Sequence, residues 1–224
     1  MATVRTRSTY HHGDLRNALL RAAAELAESD GPEAVTIRSA ARRVGVTPTA
    51  AYRHFSGHQE LLSAVRAEAM ASLVRAIRHY LDRLSESGDP VLDAVRRSAA
   101  MGRGYVRFAV SEPGLFRTAF VRSTVPPPPR EEQSRDDPFA LLASSLDDLV
   151  KVGYLAPESR PMAEFAVWSA VHGLAVMLID GALVEVSEEV RGLAVDRTMQ
   201  LLSQGLGDGE HAVPVRPHLL VDVG

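Results

Sequence analysis

The chain has 224 residues, 46% of them hydrophobic and 24% charged, with a formal net charge of −3, which is the make-up of an ordinary soluble globular protein and not of a histone-like polycation. It contains no cysteine, and this excludes a disulfide framework, a zinc ribbon, an iron–sulfur cluster and thiol catalysis together. The first residues are polar and no segment reaches the roughly 18 uncharged apolar residues of a membrane span, so neither secretion nor contact with a membrane is expected and the predicted location is the cytoplasm.

Apolar residues recur at spacings of three and four along most of the chain and no run alternates as a strand does. The predicted fold class is therefore all-α, with about nine helices. Residues 1–13 form a polar arm, and its Arg5 and Arg7 serve either a minor-groove reach or as solvated tail charge. His11, His12 and Asp14 cluster nearby, but a metal site needs several converging ligands, and adjacent side chains diverge. Asp14 reads instead as the N-cap of a helix over 15–29, whose stripe is Leu15, Ala18, Leu19, Ala22, Ala23 and Leu26. No metal and no cofactor are expected.

Gly31-Pro32 ends that helix, and the segment from Thr36 to Phe55, TIRSAARRVGVTPTAAYRHF, is the most specific in the chain. Two short helices that cross steeply need a small residue at their contact, supplied by Ala41, and then a reversal at Gly45, where a positive φ carries no Cβ penalty. Ile37, Val44, Val46 and Ala51 face inward. Thr36 and Thr47 stand where N-cap hydroxyls belong, and Pro48 fits the first helical turn because its missing N–H is unused there. The second helix thus starts near Pro48 and presents Thr49, Ala50, Tyr52, Arg53 and His54. This is a helix-turn-helix with its second helix placed for the major groove.

Charge supports the same reading. Residues 1 to 60 hold eight arginines against six acids, whereas the remainder holds seventeen basic residues against twenty-two acids. Arg38, Arg42, Arg43 and Arg53 form a local basic patch, the electrostatic footprint of a DNA reader on an acidic body.

The run VTIRSAARRVGVTPTAAYRHFSGHQELL, preceded by LRNALLRAAAELAESDG, resembles the DNA-binding domain of the tetracycline-repressor-like family of bacterial regulators, over roughly residues 12 to 63. Downstream, GYVRFAVSEPGLFRTAF and AVWSAVHGLAVMLIDG are similar to one subclass of that family's ligand-binding domain, marked by Trp168, His172 and Gly173. The resemblance implies an N-terminal three-helix DNA-binding domain at 14–57 and a helical ligand-binding and dimerisation domain at 58–206; the tail at 207–224, with Pro214 and Pro217, reads as irregular. The resemblance also implies a homodimer that a small molecule releases from a double-stranded operator. Residue by residue, Tyr52 and His54 match the phosphate-contacting pair and Thr47 a polar contact at the start of the recognition helix. Pro48, Thr49 and Ala50 match positions facing base edges. Thr36, Arg38 and Arg53 complete the DNA-facing set. Where the family usually has a phosphate-clamping lysine, this chain has His58, a weaker and pH-sensitive donor. Phe55 reads as core.

Beyond a helix from about His58 to Leu84, Met101, Tyr105 and Phe108 recur at helical spacing. Phe116 and Phe120 follow the Pro113-Gly114 break. Arg122 to Pro138 combines four consecutive prolines with charges and reads as a mobile loop. Two further helices are predicted at about Arg160 to Leu183 and Glu188 to Leu206. Phe165, Trp168, His172 and Met177 lie on the first. Met101, Tyr105, Phe108, Phe116, Phe120, Trp168, His172 and Met177 together form a candidate lining for a small hydrophobic effector, the alternative for each being plain core. Val167, Val171, Leu174 and Leu178, with Leu193, Ala194, Arg197 and Leu201, form a candidate two-fold interface, the alternative being that this second face packs within its own subunit.

The predicted function is a DNA-binding transcriptional regulator, a repressor released by its effector. Two rivals are a helix-turn-helix protein controlled by a protein partner and a helical small-molecule-processing enzyme. His172 with a serine or Asp180 lacks the strand–turn–helix setting of a nucleophile.

Overall fold

The computed structural model describes residues 12–120, 137–214, 216 and 220. The arm with Arg5, Arg7 and His11, the proline-rich stretch up to Asp136, and most of the tail after Pro214 lie outside the described residues. The described residues form nine α-helices and no strand: α1 His12–Asp30, α2 Ile37–Val44, α3 Pro48–Ala51, α4 His58–Leu81, α5 Pro90–Ser111, α6 Pro113–Phe120, α7 Pro138–Lys151, α8 Ala163–Ile179 and α9 Glu188–Leu206. Short 3-10 turns at Pro32–Ala34 and Pro157–Ser159 join them.

Three helices differ in their bounds from the sequence reading. Helix α1 begins at His12, so Asp14 lies inside its first turn and not before it. Helix α4 stops at Leu81, short of Leu84. Helix α8 starts only at Ala163 because Met162 adopts the left-handed conformation, φ 65°, and it ends at Ile179. Arg160 is instead tied down outside the helix, donating to Asp147 and Glu164 at 2.7 Å each.

The chain divides into two compact units. The first comprises α1 to α3, α4 as far as Ala69, and Gly114–Phe120 of α6. Its core is Leu19, Ala23, Ala27, Val35, Ile37, Ala40, Ala41, Ala51, Phe55, Leu61 and Val65, all at most 3% exposed. Removing a buried leucine such as Leu19 costs about 2–5 kcal/mol once the cavity is counted. Helix α6 lies directly on α1: a Cβ at Gly114 would collide with the backbone carbonyls of Ala27 and Glu28. The Glu28 carboxylate accepts from the Leu115 N–H at 2.8 Å, using one of the N–H groups a helix start leaves unpaired. Arg66 donates to the Ala119 carbonyl at 2.9 Å. The division therefore falls inside α4 and not at Gly57, and it assigns α6 to the N-terminal unit, because packing against α1 and α4 outweighs chain order.

In the second unit α5 is central, packed against α7, α8 and α9. Asp89 caps α5, Asp137 caps α7 and Ser187 caps α9, each accepting backbone N–H bonds. Gly104 on α5 permits close approach of α4, since a Cβ there would lie 2.6 Å from Ile77 Cα. Phe108, Leu146, Leu149, Tyr154, Leu155, Ala175 and Met199 form the core. The chain after α9 folds back: Tyr154 donates to the Ser203 carbonyl at 2.8 Å, and Asp208 accepts from Ala156 N–H at 2.9 Å and also from Ser159.

Candidate nucleic-acid interface and ligand pocket

The α2–α3 turn is built by the caps that the sequence carries. Thr36 Oγ1 accepts from Ser39 N–H at 3.0 Å. Gly45 ends α2 in the left-handed region, φ 78° and ψ 29°, and Val46 N–H donates back to the Ala41 carbonyl at 2.9 Å. Thr47 Oγ1 accepts from Ala50 N–H at 3.2 Å, and Pro48 is the first helical residue. Helix α3 itself is one turn long. Turn bonds from Tyr52 to the Pro48 carbonyl and from Phe55 to the Ala51 carbonyl carry the same winding on to Phe55.

Ala51 and Phe55, each 1% exposed, anchor this element. They leave Thr47, Pro48, Thr49, Tyr52 and Arg53 exposed, with Thr36, Ala50 and His54 half-buried; Arg38 on α2 and His58 at the start of α4 are exposed too. Half of the Tyr52 surface, 50%, meets solvent, which places it among the exposed large hydrophobic side chains. Among the basic residues, Arg43 is neutralised by Glu25 at 2.9 Å, whereas Arg38, Arg42 and Arg53 pair with no carboxylate of a described residue. The surface around α3 therefore carries uncompensated positive charge. Behind it, Arg16 stacks 4.6 Å from the Phe55 ring centre and lies 3.8 Å from Glu60. Glu60 accepts from the backbone N–H and hydroxyl of Ser56 at 2.7 and 2.8 Å, and these bonds, with Arg16, hold its carboxyl below the ordinary range. An ionised Glu60 thereby fixes the entry into α4 beside His58.

In the second unit a narrow cavity of about 50 Å³ opens among α5, α7, α8 and α9. Of the candidate effector residues, Met101, Tyr105 and Trp168 line it. His172 stands behind it, its Nδ1 2.7 Å from the Tyr105 hydroxyl. Burial pushes the Tyr105 phenol well above its ordinary pKa and lowers that of His172, so the pair is neutral near pH 7. A phenol donating to Nδ1 leaves the imidazole proton on Nε2. Tyr105 meets Trp168 edge to face at 5.3 Å, and Trp168 in turn touches Phe139 at 5.6 Å.

The other four candidates lie elsewhere. Phe108 is fully buried core; Met177 is 45% exposed on the outer side of α8. Phe116 and Phe120 contact each other at 4.9 Å and belong to the first unit. Spacing alone missed Ile77, Leu142, Met199 and Leu202, which line the cavity together with Ser98 and Ser203. Their only sequence signal is membership of amphipathic stripes.

The candidate interface needs a correction on α8. Val167, Val171, Leu174 and Leu178 are 3–9% exposed within the subunit, so they are not available to a partner. On α9, Leu193 and Leu201 are 63% and 54% exposed, Arg197 is exposed and Ala194 is half-buried. The solvent side of α8 carries Phe165, Val176 and Met177, 38–47% exposed, and Gly173 with open space around it. Every face of α8 is apolar, so periodicity gives no way to tell inner from outer.

Two family models match the chain: that of bacterial regulatory proteins of the tetR family over residues 19–65, and that of the tetracyclin repressor-like C-terminal domain over residues 98–202. The uncharacterized HTH-type transcriptional regulator YobS of Bacillus subtilis (strain 168) is 25% identical over 168 residues, covering 74% of this chain and 80% of that protein. Among solved structures, a protein of unknown function from Rhodococcus sp. RHA1 superposes with a TM-score of 0.72 at 22% identity, over 91% of this chain and 100% of that one. A TetR family transcription regulator from Marinobacter aquaeolei VT8 superposes with a TM-score of 0.59 at 22% identity, over 83% of this chain and 93% of that one. At these identities the solved structures speak to the fold.

Proposed function

We propose, for a chain that belongs to the tetR family of bacterial regulatory proteins and is a DNA-binding transcriptional regulator, that it is a homodimeric repressor released from a palindromic operator by a small, uncharged, largely apolar effector. The observation that carries this reading is the pairing, in one chain, of an exposed, acid-free recognition surface at Thr47–Arg53 with an apolar cavity built around Tyr105 and Trp168. Regulators of this family bind DNA and small-molecule ligands.

On DNA, Tyr52 and His54 supply phosphate contacts that set the position of α3, and Thr49 faces base edges. Arg53, Arg38 and His58 add positive charge. Two copies of α3 enter successive major grooves only when they stand one helical turn apart, about 34–36 Å. The exposed apolar faces of α8 and α9 supply a two-fold surface for holding two chains at that spacing.

The cavity supports an uncharged ligand because no arginine, lysine or carboxylate is among its described lining residues, and an unpaired charge buried there is costly. It is also narrow. At about 50 Å³ it has room for little more than one or two waters, so an effector has to part the side chains around it. Met101 and Met199 are suited to yielding. Ile77 lines the cavity on α4, the helix whose first turn carries His58, so a ligand that displaces Ile77 discriminates between conformations of α4. Operator affinity then falls by the difference in ligand affinity for those conformations.

Fluorescence anisotropy of the full-length protein on DNA from its own upstream region tests the reading. Saturable, salt-sensitive binding that a small uncharged aromatic compound reverses is the expected result. Absence of sequence preference against random DNA rejects it. DNA binding that responds only to a protein partner rejects the effector while leaving the regulator intact.

A further inference from the structure

A second cavity, of about 440 Å³, lies away from the one around Tyr105, between the C-terminal turns of α4 and the middle of α5. Arg83, Arg103 and Arg107 line it with His79, Tyr80, Leu84, Ala100 and Leu220; Ala100 and Leu220 are buried, so its open apolar surface comes from Leu84 and the Tyr80 ring. No acid is among its described lining residues. Arg103 is the inner wall, its side chain 13% exposed, held by Asp196 at 2.8 Å and by the Leu220 carbonyl at 2.9 Å. Those bonds occupy two of its five N–H donors. Arg83 and Arg107 are exposed and bring two further guanidinium groups to the mouth. The adjoining groove shares Arg103 and Arg107 and adds two carboxylates, Asp196, paired with Arg103, and Glu188, paired with Arg191 at 3.0 Å, so four arginines face two acids and the site is electropositive in a chain whose net charge is −3. The volume is that of a small-molecule site, and Arg83 and Arg107 pair with no carboxylate of a described residue.

We propose that this cavity is a second ligand site, which takes a small amphiphilic anion: an oxyanion headgroup, phosphate or carboxylate, among Arg83, Arg103 and Arg107, and a short apolar group against Leu84 and the Tyr80 ring. Guanidinium groups recognise such headgroups through paired N–H donors. The site is independent of the apolar cavity, which has no cation among its described lining residues, so the two accept chemically opposite ligands.

Isothermal titration of the full-length protein with octyl phosphate, octanoate and inorganic phosphate tests the assignment. One octyl phosphate or octanoate per chain is expected in the arginine site, bound more tightly than inorganic phosphate, and the tighter of the two amphiphiles identifies the headgroup. Arg107→Gln is expected to weaken that binding at least about tenfold, the loss of one charge-assisted contact. Arg83→Gln serves as a second exposed variant with the same expected direction. Arg97→Gln, an exposed arginine on α5 outside both cavities, makes the same change in net charge and is expected to alter binding by less than about twofold. No saturable binding overturns the proposal, as does octyl phosphate binding no tighter than inorganic phosphate. Equal effects of Arg107→Gln and Arg97→Gln also overturn it, because they reduce the interaction to nonspecific charge.

Discussion

The Tyr105 hydroxyl lies 2.7 Å from His172 Nδ1, joining α5 to α8 across 67 residues of sequence. Tyr105 lines the cavity and His172 does not, so under the proposed function the imidazole would act on a ligand only through the tyrosine. Tyr105→Phe keeps the ring against Trp168 and removes the hydrogen bond. It is expected to cost about 1 kcal/mol in denaturant unfolding and to weaken effector-induced release while leaving operator affinity unchanged. Unchanged release excludes a ligand role for the phenol.

The same pair sets a pH dependence. Burial lowers the His172 pKa in the folded protein, so near and below the ordinary histidine value of about 6.5 the unfolded chain binds more protons than the native one. The contribution of neutral His172 is present above that value and is lost as pH falls from about 7 toward 5. Unfolding midpoints measured across this window are expected to fall more steeply for the wild type than for His172→Phe. Parallel curves place the titration elsewhere.

At the recognition element, Tyr52→Phe and His54→Ala are expected to weaken binding to all DNA sequences about equally, since phosphate contacts carry no sequence information. Thr49→Ala is expected to change base preference. Arg53→Gln, if Arg53 neutralises one phosphate, lowers the slope of log affinity against log salt by about 0.9. Competition binding across an operator library, repeated at three salt concentrations, separates these outcomes.

For assembly, Leu193→Glu and Leu201→Glu change residues that are 63% and 54% exposed, and they are expected to yield folded monomers with weakened operator binding. Leu174→Glu buries an unpaired charge inside the subunit and is expected to lower stability by several kcal/mol. Sedimentation and thermal unfolding distinguish the two classes. Folded dimers for both α9 variants place the interface on another surface.

Gly45→Val forces a β-branched residue into a left-handed position, φ 78°, at an expected cost of roughly 1–2 kcal/mol. Thr47→Ala removes the α3 cap for about 1 kcal/mol. Both are read by denaturant unfolding, and additive losses are not expected because the two residues share one turn.

The turn between α2 and α3 was legible because its determinants are local: Thr36, Gly45, Thr47 and Pro48 each act within four residues of their own position. Exposed Thr49 and Tyr52 and buried Phe55 follow from that geometry alone. The fate of Phe116 and Phe120 was not legible, since it is decided by contacts such as that of Glu28 with Leu115, 87 residues apart. Nor was the inward face of α8, where Val171 and Val176 are equally apolar and only the packing of α5 separates them. The α1 start at His12 shows the same limit on a smaller scale, because Asp14 satisfies the pattern of a cap whether or not the helix begins there.

The return of α6 to the N-terminal unit constrains how this protein can be cut and recombined. A fragment ending at Ala69 carries all the residues assigned to reading DNA but lacks Phe116 and Ala119, which are 2% and 0% exposed when the chain is whole. It leaves bare the surface of α1 that Gly114 approaches and the Glu28 carboxylate that Leu115 N–H binds. Grafting the reader onto a foreign sensor by a single crossover after α4 therefore transplants an incomplete core. Exchange between relatives has to carry α1–α4 and α6 as a discontinuous set, so the reader and the helices threaded between its parts are inherited together.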